Sequence, residues 1–282
     1  MNYRHSYHAG NFADVFKHIT LIALLQHLQQ KTNPFCYLET HAGIGGYDLN
    51  AEEARKTLEY QNGIEKLLQN PIDHPLLQVY QELIKSYNEE TASIRYYPGS
   101  PLIAYHFLRE QDRAVYIELH EEAANALKQL FKSYKHVAVH NMDGYQALKA
   151  FLPPKEKRGL VLIDPPFESP DEFTHLIKHI KIAYKRWATG TYAIWYPIKQ
   201  YTDILPFHRQ IRELGIPKIL STEFCIYPDD TNLRLNGCGL IIINPPWQLD
   251  DKLKTILPHL CNALTQDPHR RYRVEWLSPE TP

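Results

Sequence analysis

The sequence has few of the features that mark specialised protein classes. Only 4 of its 282 residues are cysteines. None of them forms a Cys-X-X-Cys pair, so the usual zinc-site pattern is absent. Lys and Arg (31) balance Asp and Glu (32), which gives a formal net charge of −1. This balance argues against binding of nucleic acid by bulk electrostatics alone, although a local basic patch remains compatible with it.

Long hydrophobic runs are also missing. The longest run near the start, residues 19–25, is interrupted by Thr20, and a membrane helix needs about 20 apolar residues. The start of the chain also lacks the cationic stretch and the small-residue cleavage site of a signal peptide. We therefore expect a cytoplasmic protein with reduced cysteines, without a membrane span, a metal or an obligate protein partner.

What the sequence does contain is a series of short apolar segments separated by helical patterns. Strand-like runs occupy residues 35–39, 114–118, 137–140, 160–164, 191–196, 219–226 and 239–244. Helical periodicity lies between most of them, for example over residues 12–28, 121–134 and 171–187. Strands that alternate with helices, and whose runs are apolar throughout, predict an α/β fold with a doubly wound sheet of seven mostly parallel strands.

A polar segment interrupts this alternation after the first strand. Residues 49–95 are helix-prone and carry eight acidic against five basic side chains, and a simple crossover needs far fewer residues. We predict a helical insertion at residues 48–95 and a core formed by residues 1–47 and 96–282. Because the insertion is acidic, the core face is the better candidate for binding phosphates.

A glycine turn follows the first predicted strand. It contains Gly43, Gly45 and Gly46, and glycine allows the backbone to approach a ligand closely. The spacing differs from Gly-X-Gly-X-X-Gly because Asp48 occupies the third glycine position. A pyrophosphate site is therefore not supported. The turn suits a nucleoside without phosphates, such as S-adenosylmethionine, or it is an ordinary glycine turn.

Carboxylates also follow the second and third predicted strands. Glu118 ends the second strand, where an acidic side chain can accept both ribose hydroxyls of a nucleoside. Asp143 follows the third strand and could accept a hydrogen bond from an adenine amino group. A solvent-facing acid is common at such positions, so the prediction rests on their combination with the glycine turn.

The strongest signal is the sequence Asp164-Pro165-Pro166-Phe167 at the end of the fourth predicted strand. In a doubly wound sheet this strand lies beside the first, at the point where ligands bind. Asp164 and the Pro165 carbonyl can accept the two N–H bonds of an adenine amine and aim its lone pair at a methyl sulfonium. Phe167 offers a flat face for the extruded base. The alternative is a strand that simply ends at prolines.

A similar motif, Asn244-Pro245-Pro246-Trp247, ends the seventh predicted strand. In sheets of the methyltransferase type this strand is antiparallel, so its end faces away from the ligand. We interpret this second motif as structural.

Taken together, the motifs closely resemble the RlmJ-type family of bacterial 23S ribosomal RNA adenine N6-methyltransferases. The resemblance rests on residues 3–11 with Asp14, Lys17 and His18, and on residues 40–43, 96–101, 118–120, 143–144 and 162–166. It implies a Rossmann-like methyltransferase core and S-adenosylmethionine as cofactor. By position it implies a cofactor site lined by His18, His41, Ser100, Glu118, Asp143, Gly144 and Asp164, with Asp164 also catalytic. Phe167 departs from the family, which usually has Tyr there.

The N-terminal segment interleaves aromatic and cationic residues. Tyr3 and His5 belong to it, and such pairs hold unpaired RNA bases and phosphates. The resemblance implies contact of Tyr3 with RNA, and Lys17 opens a helix that can present it at the site. Pro165 and Phe167 complete the predicted substrate-binding set. Basic clusters at residues 155–158 and 269–273 are weaker candidates for phosphate contacts.

Methylation of an adenine in 23S ribosomal RNA is therefore the predicted activity. A DNA adenine N6-methyltransferase shares the Asp-Pro-Pro-aromatic motif, but it usually needs a DNA-reading domain, and none is evident. A non-catalytic RNA-binding or ribosome assembly factor is the second alternative, and the intact Asp164 argues against it. A nicotinamide oxidoreductase is disfavoured by the broken glycine motif.

Overall fold

The computed structural model describes residues 4–70, 72–89 and 93–279. Its strands are β1 (Cys36–Glu39), β2 (Gly46–Asp48), β3 (Tyr96–Pro98), β4 (Arg113–Glu118), β5 (Val137–Asn141), β6 (Gly159–Ile163), β7 (Thr191–Ile198), β8 (Ile219–Cys225), β9 (Gly237–Ile243) and β10 (Arg271–Ser278). Its α-helices are α1 (Phe12–Gln29), α2 (Glu52–Thr57), α3 (Ile64–Gln69), α4 (Pro75–Ser86), α5 (Ser100–His106), α6 (Glu121–Leu130), α7 (Gly144–Phe151), α8 (Glu172–Arg186), α9 (Tyr201–Glu213) and α10 (Leu249–Leu264).

Eight of the strands form one sheet in the order β10-β8-β9-β7-β6-β1-β4-β5. Strand β1 pairs in parallel with β4 on one side and with β6 on the other. The chain therefore winds outward in one direction from β1 and in the other direction from β6. The crevice outside the carboxyl ends of these two strands is where ligands bind in open α/β sheets.

The prediction of a mostly parallel α/β sheet is confirmed, but the count of seven strands is wrong. The additional strand β10 pairs antiparallel with β8 at the edge of the sheet. Its apolar residues alternate with Arg271, Arg273 and Glu275, as is typical of an edge strand with one solvent-exposed face. Sequence analysis took this charged alternation for a basic cluster and so missed the strand.

Helices cover both faces of the sheet, and a hydrophobic core lies on each side. One core joins α1, α4, α5 and α10 to the sheet, and the other joins α7, α8 and α9 to its opposite face. Helix α1 belongs almost entirely to the first core, with buried residues along most of its length. Asn11 begins this helix by accepting hydrogen bonds from the backbone N–H groups of Ala13 and Asp14, the usual role of an N-cap.

The segment between β2 and β3 is helical, as expected from its composition. Helices α3 and α4 pack against α10 and α1, respectively, so this segment contributes to the first core. Strands β2 and β3 pair with each other and hold the two ends of the segment together. The division of the chain into a core and an insertion at residues 48–95 stays a prediction. No helix within the described ranges has the length and hydropathy to cross a membrane.

Candidate active site

The candidate site begins where β1 and β6 end side by side. Glu39, the last residue of β1, pairs with Leu162 of β6, and Asp164 follows two residues later. The sheet therefore places Asp164 next to the turn that starts at Thr40, as the predicted crossover required. Asp164 is partly exposed, whereas Pro165 beside it is buried.

A buried lysine binds Asp164 directly. The Nζ of Lys17 in α1 lies 2.6 Å from Oδ2 of Asp164 and 3.0 Å from Oδ1 of Asp14. Asp14 in turn accepts a hydrogen bond from Nε2 of His5 at 2.8 Å and from the backbone N–H of Gly10 at 3.0 Å. A continuous polar network thus connects the N-terminal segment with Asp164.

This network is ionic at its centre. Burial disfavours the charge on Lys17, but Asp14 and Asp164 outweigh burial and raise the pKa of Lys17 well above its usual range. Burial also disfavours the charge on Asp14, yet His5 and Lys17 hold the pKa of Asp14 well below its usual range. Opposite charges within hydrogen-bond distance act in this way. Lys17 therefore stays an ammonium ion at any ordinary assay pH.

His18, the next residue in α1, is fully buried and neutral. Burial lowers the pKa of His18 to about 3. Its Nδ1 lies 2.8 Å from the hydroxyl of Tyr97, and that hydroxyl lies 2.9 Å from the hydroxyl of Tyr80 in α4. The Nε2 of His18 is buried and has no hydrogen-bond partner in the part of the chain that the structure describes. Buried polar groups without partners are rare in folded proteins, so this atom is a candidate for contact with a ligand.

His41 and Gly144 meet at the carboxyl ends of β1 and β5. Burial lowers the pKa of His41 to about 4, and its Nδ1 lies 2.8 Å from the hydroxyl of Thr40. A Cβ at Gly144 would lie 2.3 Å from the Thr40 carbonyl oxygen and 3.0 Å from the His41 ring. Only glycine lets α7 begin this close to the first turn. Asp143 caps that helix by accepting a hydrogen bond from the N–H of Gln146 at 2.7 Å.

Glu118 binds the glycine turn directly through its carboxylate. One carboxylate oxygen accepts the backbone N–H of Gly43 at 2.8 Å, and the other accepts the N–H of His120 at 2.8 Å. Each carboxylate oxygen has a second lone pair, so the contact leaves Glu118 able to accept hydroxyls. Gly43 itself has a φ of +61°, in the region that favours glycine. The predicted combination of this acid with the turn is thus realised as a direct hydrogen bond.

Ser100 contacts a residue that sequence analysis did not select. The hydroxyl of Ser100, the first residue of α5, donates to one oxygen of Glu39 at 2.5 Å, and the hydroxyl of Tyr37 donates to the other at 2.9 Å. Burial raises the pKa of Glu39 to about 7, although both hydrogen bonds favour the ionised form. The signal that was overlooked is a carboxylate at the end of the first strand, the same signal used for Glu118.

Phe167 lies in an aromatic cluster after the two prolines. Its ring is 5.8 Å from that of Trp195, edge to face, and 5.0 Å from that of Phe173. Its φ of +51° is uncommon for a bulky residue, and backbone strain of this kind concentrates at functional sites. The ring is partly exposed and so retains a surface for contact with a base.

The other predicted elements divide between the two edges of the sheet. Tyr3 lies outside the described residues. The cluster at residues 155–158 precedes β6, on the edge of the sheet opposite the site, and its role as a phosphate contact stays a prediction. There, Arg158 donates to the carbonyl oxygens of Leu28 and Asn33 beside the end of α1. The cluster at residues 269–273 begins on the site's own edge, because Arg271 pairs with Cys225.

The second proline motif has a structural role, as predicted. Strand β9 is antiparallel to both β7 and β8, so Asn244 lies at the edge of the sheet remote from Asp164. Its side-chain amide donates to the carbonyl oxygens of Ala188 and Gly190 and fixes the turn before β7. Trp247, the counterpart of Phe167, is 81% exposed.

Comparison with known proteins agrees with this arrangement. A family model described as "Ribosomal RNA large subunit methyltransferase D, RlmJ" matches residues 32–278. This chain belongs to the RlmJ family. Ribosomal RNA large subunit methyltransferase J of Haemophilus influenzae is 44% identical over 280 residues, which cover 99% of this chain and 100% of that protein. The protein of the same name from Escherichia coli is 41% identical with the same coverage.

A solved structure extends the similarity to three dimensions. A crystal structure of a Legionella pneumophila protein matches with a TM-score of 0.87 and 40% identity, covering 95% of this chain and 98% of that one. Membership of the RlmJ family makes this chain a methyltransferase and confirms the resemblance seen in its motifs. It favours this activity over the non-catalytic and nicotinamide-dependent alternatives.

Proposed function

We propose that this chain transfers a methyl group from S-adenosylmethionine to the N6 amino group of one specific adenine in 23S ribosomal RNA. The observation that carries the proposal is the position of Asp164. It follows β6 directly beside β1, in an Asp-Pro-Pro-aromatic turn, and Lys17 holds one of its oxygens. The RNA substrate is supported by the relatives, which are named ribosomal RNA large subunit methyltransferases.

Residues of α1 and α5, together with those at the ends of β1, β4 and β5, fit an S-adenosylmethionine molecule. His18 offers a buried polar atom with no partner among the described residues, Glu118 accepts a hydrogen bond from the glycine turn, and Gly144 leaves the space beside Thr40 without a side chain. With His41, Ser100 and Asp143 they would hold the cofactor. When bound, this cofactor supplies an electrophilic methyl group on a sulfonium.

Asp164 would orient the target amine. Its Oδ2 accepts the hydrogen bond from Lys17, and its Oδ1 has no hydrogen-bond partner among the described residues. We assign one N–H of the adenine amine to Oδ1 and the other to the carbonyl oxygen of Pro165, which frees the nitrogen lone pair for attack. Positioning of this kind supplies much of the rate in a transfer between two bound reactants. Lys17 cannot take up the proton that is released, because it is already protonated.

Phe167 would stack on the adenine after it leaves its RNA helix or loop. Enzymes that act on a base hold the extruded base against aromatic or apolar side chains. The exchange of the usual Tyr for Phe keeps that face and removes only a hydroxyl. We assign the approach of the RNA to Tyr3 and His5, since His5 binds Asp14 within the same network as Lys17. A ribosomal RNA substrate also implies a cytoplasmic location.

Methyl transfer from labelled S-adenosylmethionine tests the proposal. The substrates are deproteinised 23S ribosomal RNA, small-subunit ribosomal RNA and duplex DNA, and nuclease digestion identifies the modified base. We expect N6-methyladenine in the 23S RNA alone. Label in DNA would instead support a DNA methyltransferase. Binding of cofactor without transfer to any of the three substrates would contradict activity on free RNA.

A further inference from the structure

Three buried side chains form a hydrogen-bonded series that ends at His18, the residue after Lys17 in α1. Tyr80 of α4, Tyr97 of β3 and His18 of α1 are linked by two hydrogen bonds of 2.9 Å and 2.8 Å. All three side chains are almost completely buried, and the rings of His18 and Tyr97 are stacked with centroids 5.6 Å apart. Within the described part of the chain, the hydroxyl of Tyr80 has Tyr97 as its sole hydrogen-bond partner.

The hydrogens on these three side chains allow only two arrangements of the two hydrogen bonds. The two hydroxyls carry two hydrogens, and a neutral imidazole carries one more on either Nδ1 or Nε2. If Tyr80 donates to Tyr97 and Tyr97 donates to Nδ1, both hydroxyl hydrogens have acceptors. Either arrangement leaves one hydrogen without an acceptor: the N–H of Nε2 in this one, and the hydroxyl hydrogen of Tyr80 if Nδ1 carries the ring hydrogen. A buried donor without an acceptor is costly, so an acceptor on a ligand beside Nε2 favours the first arrangement.

The neutral state of His18 supports this argument. Burial is the main cause that lowers its pKa, and the nearby ammonium of Lys17 acts in the same direction while Asp14 opposes it. A neutral ring whose Nδ1 accepts a hydrogen bond must carry its hydrogen on Nε2. In the first arrangement Nε2, which has no hydrogen-bond partner among the described residues, is therefore a buried N–H donor.

We propose that Tyr97 and Tyr80 are positioning residues, which fix His18 as an Nε2–H donor to a hydrogen-bond acceptor of S-adenosylmethionine. The inference rests on the proposed function, since it takes that cofactor as the ligand. It also gives the helical segment between β2 and β3 a part in cofactor binding, because Tyr80 belongs to α4. Tyr97 acts on His18 directly, and Tyr80 acts through Tyr97.

Two measurements on the full chain test this. Calorimetry with S-adenosylhomocysteine gives the Kd of wild type, Tyr97→Phe and Tyr80→Phe. Nitrogen NMR of histidine-labelled protein with bound S-adenosylhomocysteine reports which ring nitrogen of His18 carries the hydrogen, with His18→Asn used for assignment. We expect Nε2–H in wild type, a mixture of tautomers in Tyr97→Phe, and a Kd raised about tenfold, as follows from losing one well-placed hydrogen bond. Tyr80→Phe should raise the Kd less.

Tyr192→Phe is the matched control. The hydroxyl of Tyr192 is also buried and hydrogen-bonded, to the carbonyl oxygens of Ala183 and Trp187 on the other face of the sheet. Its loss should lower stability without changing the Kd or the tautomer of His18. An Nδ1–H tautomer in wild type, or an unchanged Kd in Tyr97→Phe, would overturn the inference. Failure of wild type to bind S-adenosylhomocysteine would instead contradict the proposed function.

Discussion

Lys17 and Asp164 are separated by 147 positions in the sequence, yet their side chains lie 2.6 Å apart. The contact joins the first turns of α1 to the residue that follows β6. Asp14, one turn before Lys17, provides a second carboxylate at 3.0 Å. A single buried ammonium thus connects a helix with the turn that carries Asp164.

Replacement of Asp164 by Ala or Asn should abolish most of the methyl transfer while leaving the fold intact. Lys17 keeps Asp14 as a partner in the variant, and Asp164 is partly exposed, so little stability depends on it. We expect kcat to fall by at least about 10²–10³-fold, the typical loss when one preorganised polar contact at the reacting group is removed. Single-turnover kinetics and a thermal melt measure the two effects. Asp171→Asn, an exposed acid after the same turn, is the control, and normal turnover by Asp164→Ala would refute the mechanism.

Lys17→Met should be far more damaging to the fold. It leaves the buried Asp14 and the partly exposed Asp164 without their shared counter-ion, and breaking a buried ion pair by removing one partner costs about 3–5 kcal/mol. Urea unfolding gives the free energy. Lys56→Met serves for comparison, because Lys56 is exposed and forms an ion pair with Glu52 on the surface of α2. A loss of stability no larger than that of the comparison variant would show that the network contributes little.

Glu39 should make the stability of the protein depend on pH. Its pKa is about 7 in the folded chain and near 4.5 in the unfolded chain. Between these values the folded state keeps a proton that the unfolded state has lost, so this group destabilises the fold progressively as the pH rises. Glu39→Gln removes the effect. We therefore compare the free energy of unfolding of Glu39→Gln with that of wild type at two pH values. The difference, variant minus wild type, should increase by on the order of 3 kcal/mol from pH 4.5 to pH 8. An equal difference at both pH values would contradict the burial of a titrating carboxyl here.

Phe167 should contribute through its ring alone. Phe167→Tyr keeps the ring and introduces the residue usual in the family, so we expect kcat/KM within a few-fold of wild type. Phe167→Ala removes the face that we propose for stacking of the adenine, and stacking of a base on an aromatic side chain is worth about 1–3 kcal/mol. We therefore expect kcat/KM for RNA to fall by roughly 10–100-fold, with an unchanged Kd for S-adenosylhomocysteine. A large change in that Kd would place Phe167 in the cofactor site instead.

The sequence alone predicted the central sheet and the position of Asp164 well. Few sheet topologies are compatible with short apolar strands that alternate with helices, and the crossover rules restrict which strands become neighbours. Strand β10 was missed because its charged residues alternate with apolar ones, and the short strands β2 and β3 carry too few residues for a pattern. Periodicity detects buried strands more readily than edge strands.

Contacts between distant segments could not be read in this way. The glycine turn and Glu118 were each visible, but their hydrogen bond depends on how β1 and β4 align. Local sequence patterns predict neither the contact of Lys17 with Asp164 nor that of His18 with Tyr97. The role of each predicted site residue stays a prediction that the variants above can test.

The pairing of Lys17 with Asp14 has a consequence for synthesis of the chain. Helix α1 is translated long before Asp164, so during this interval the ammonium lacks the partner it binds at 2.6 Å in the finished protein. Asp14 is three residues away on the same helix, and such pairs form as soon as the helix does. The nascent helix therefore carries its own counter-ion, and it needs no help from the rest of the chain to neutralise the charge that it will later bury.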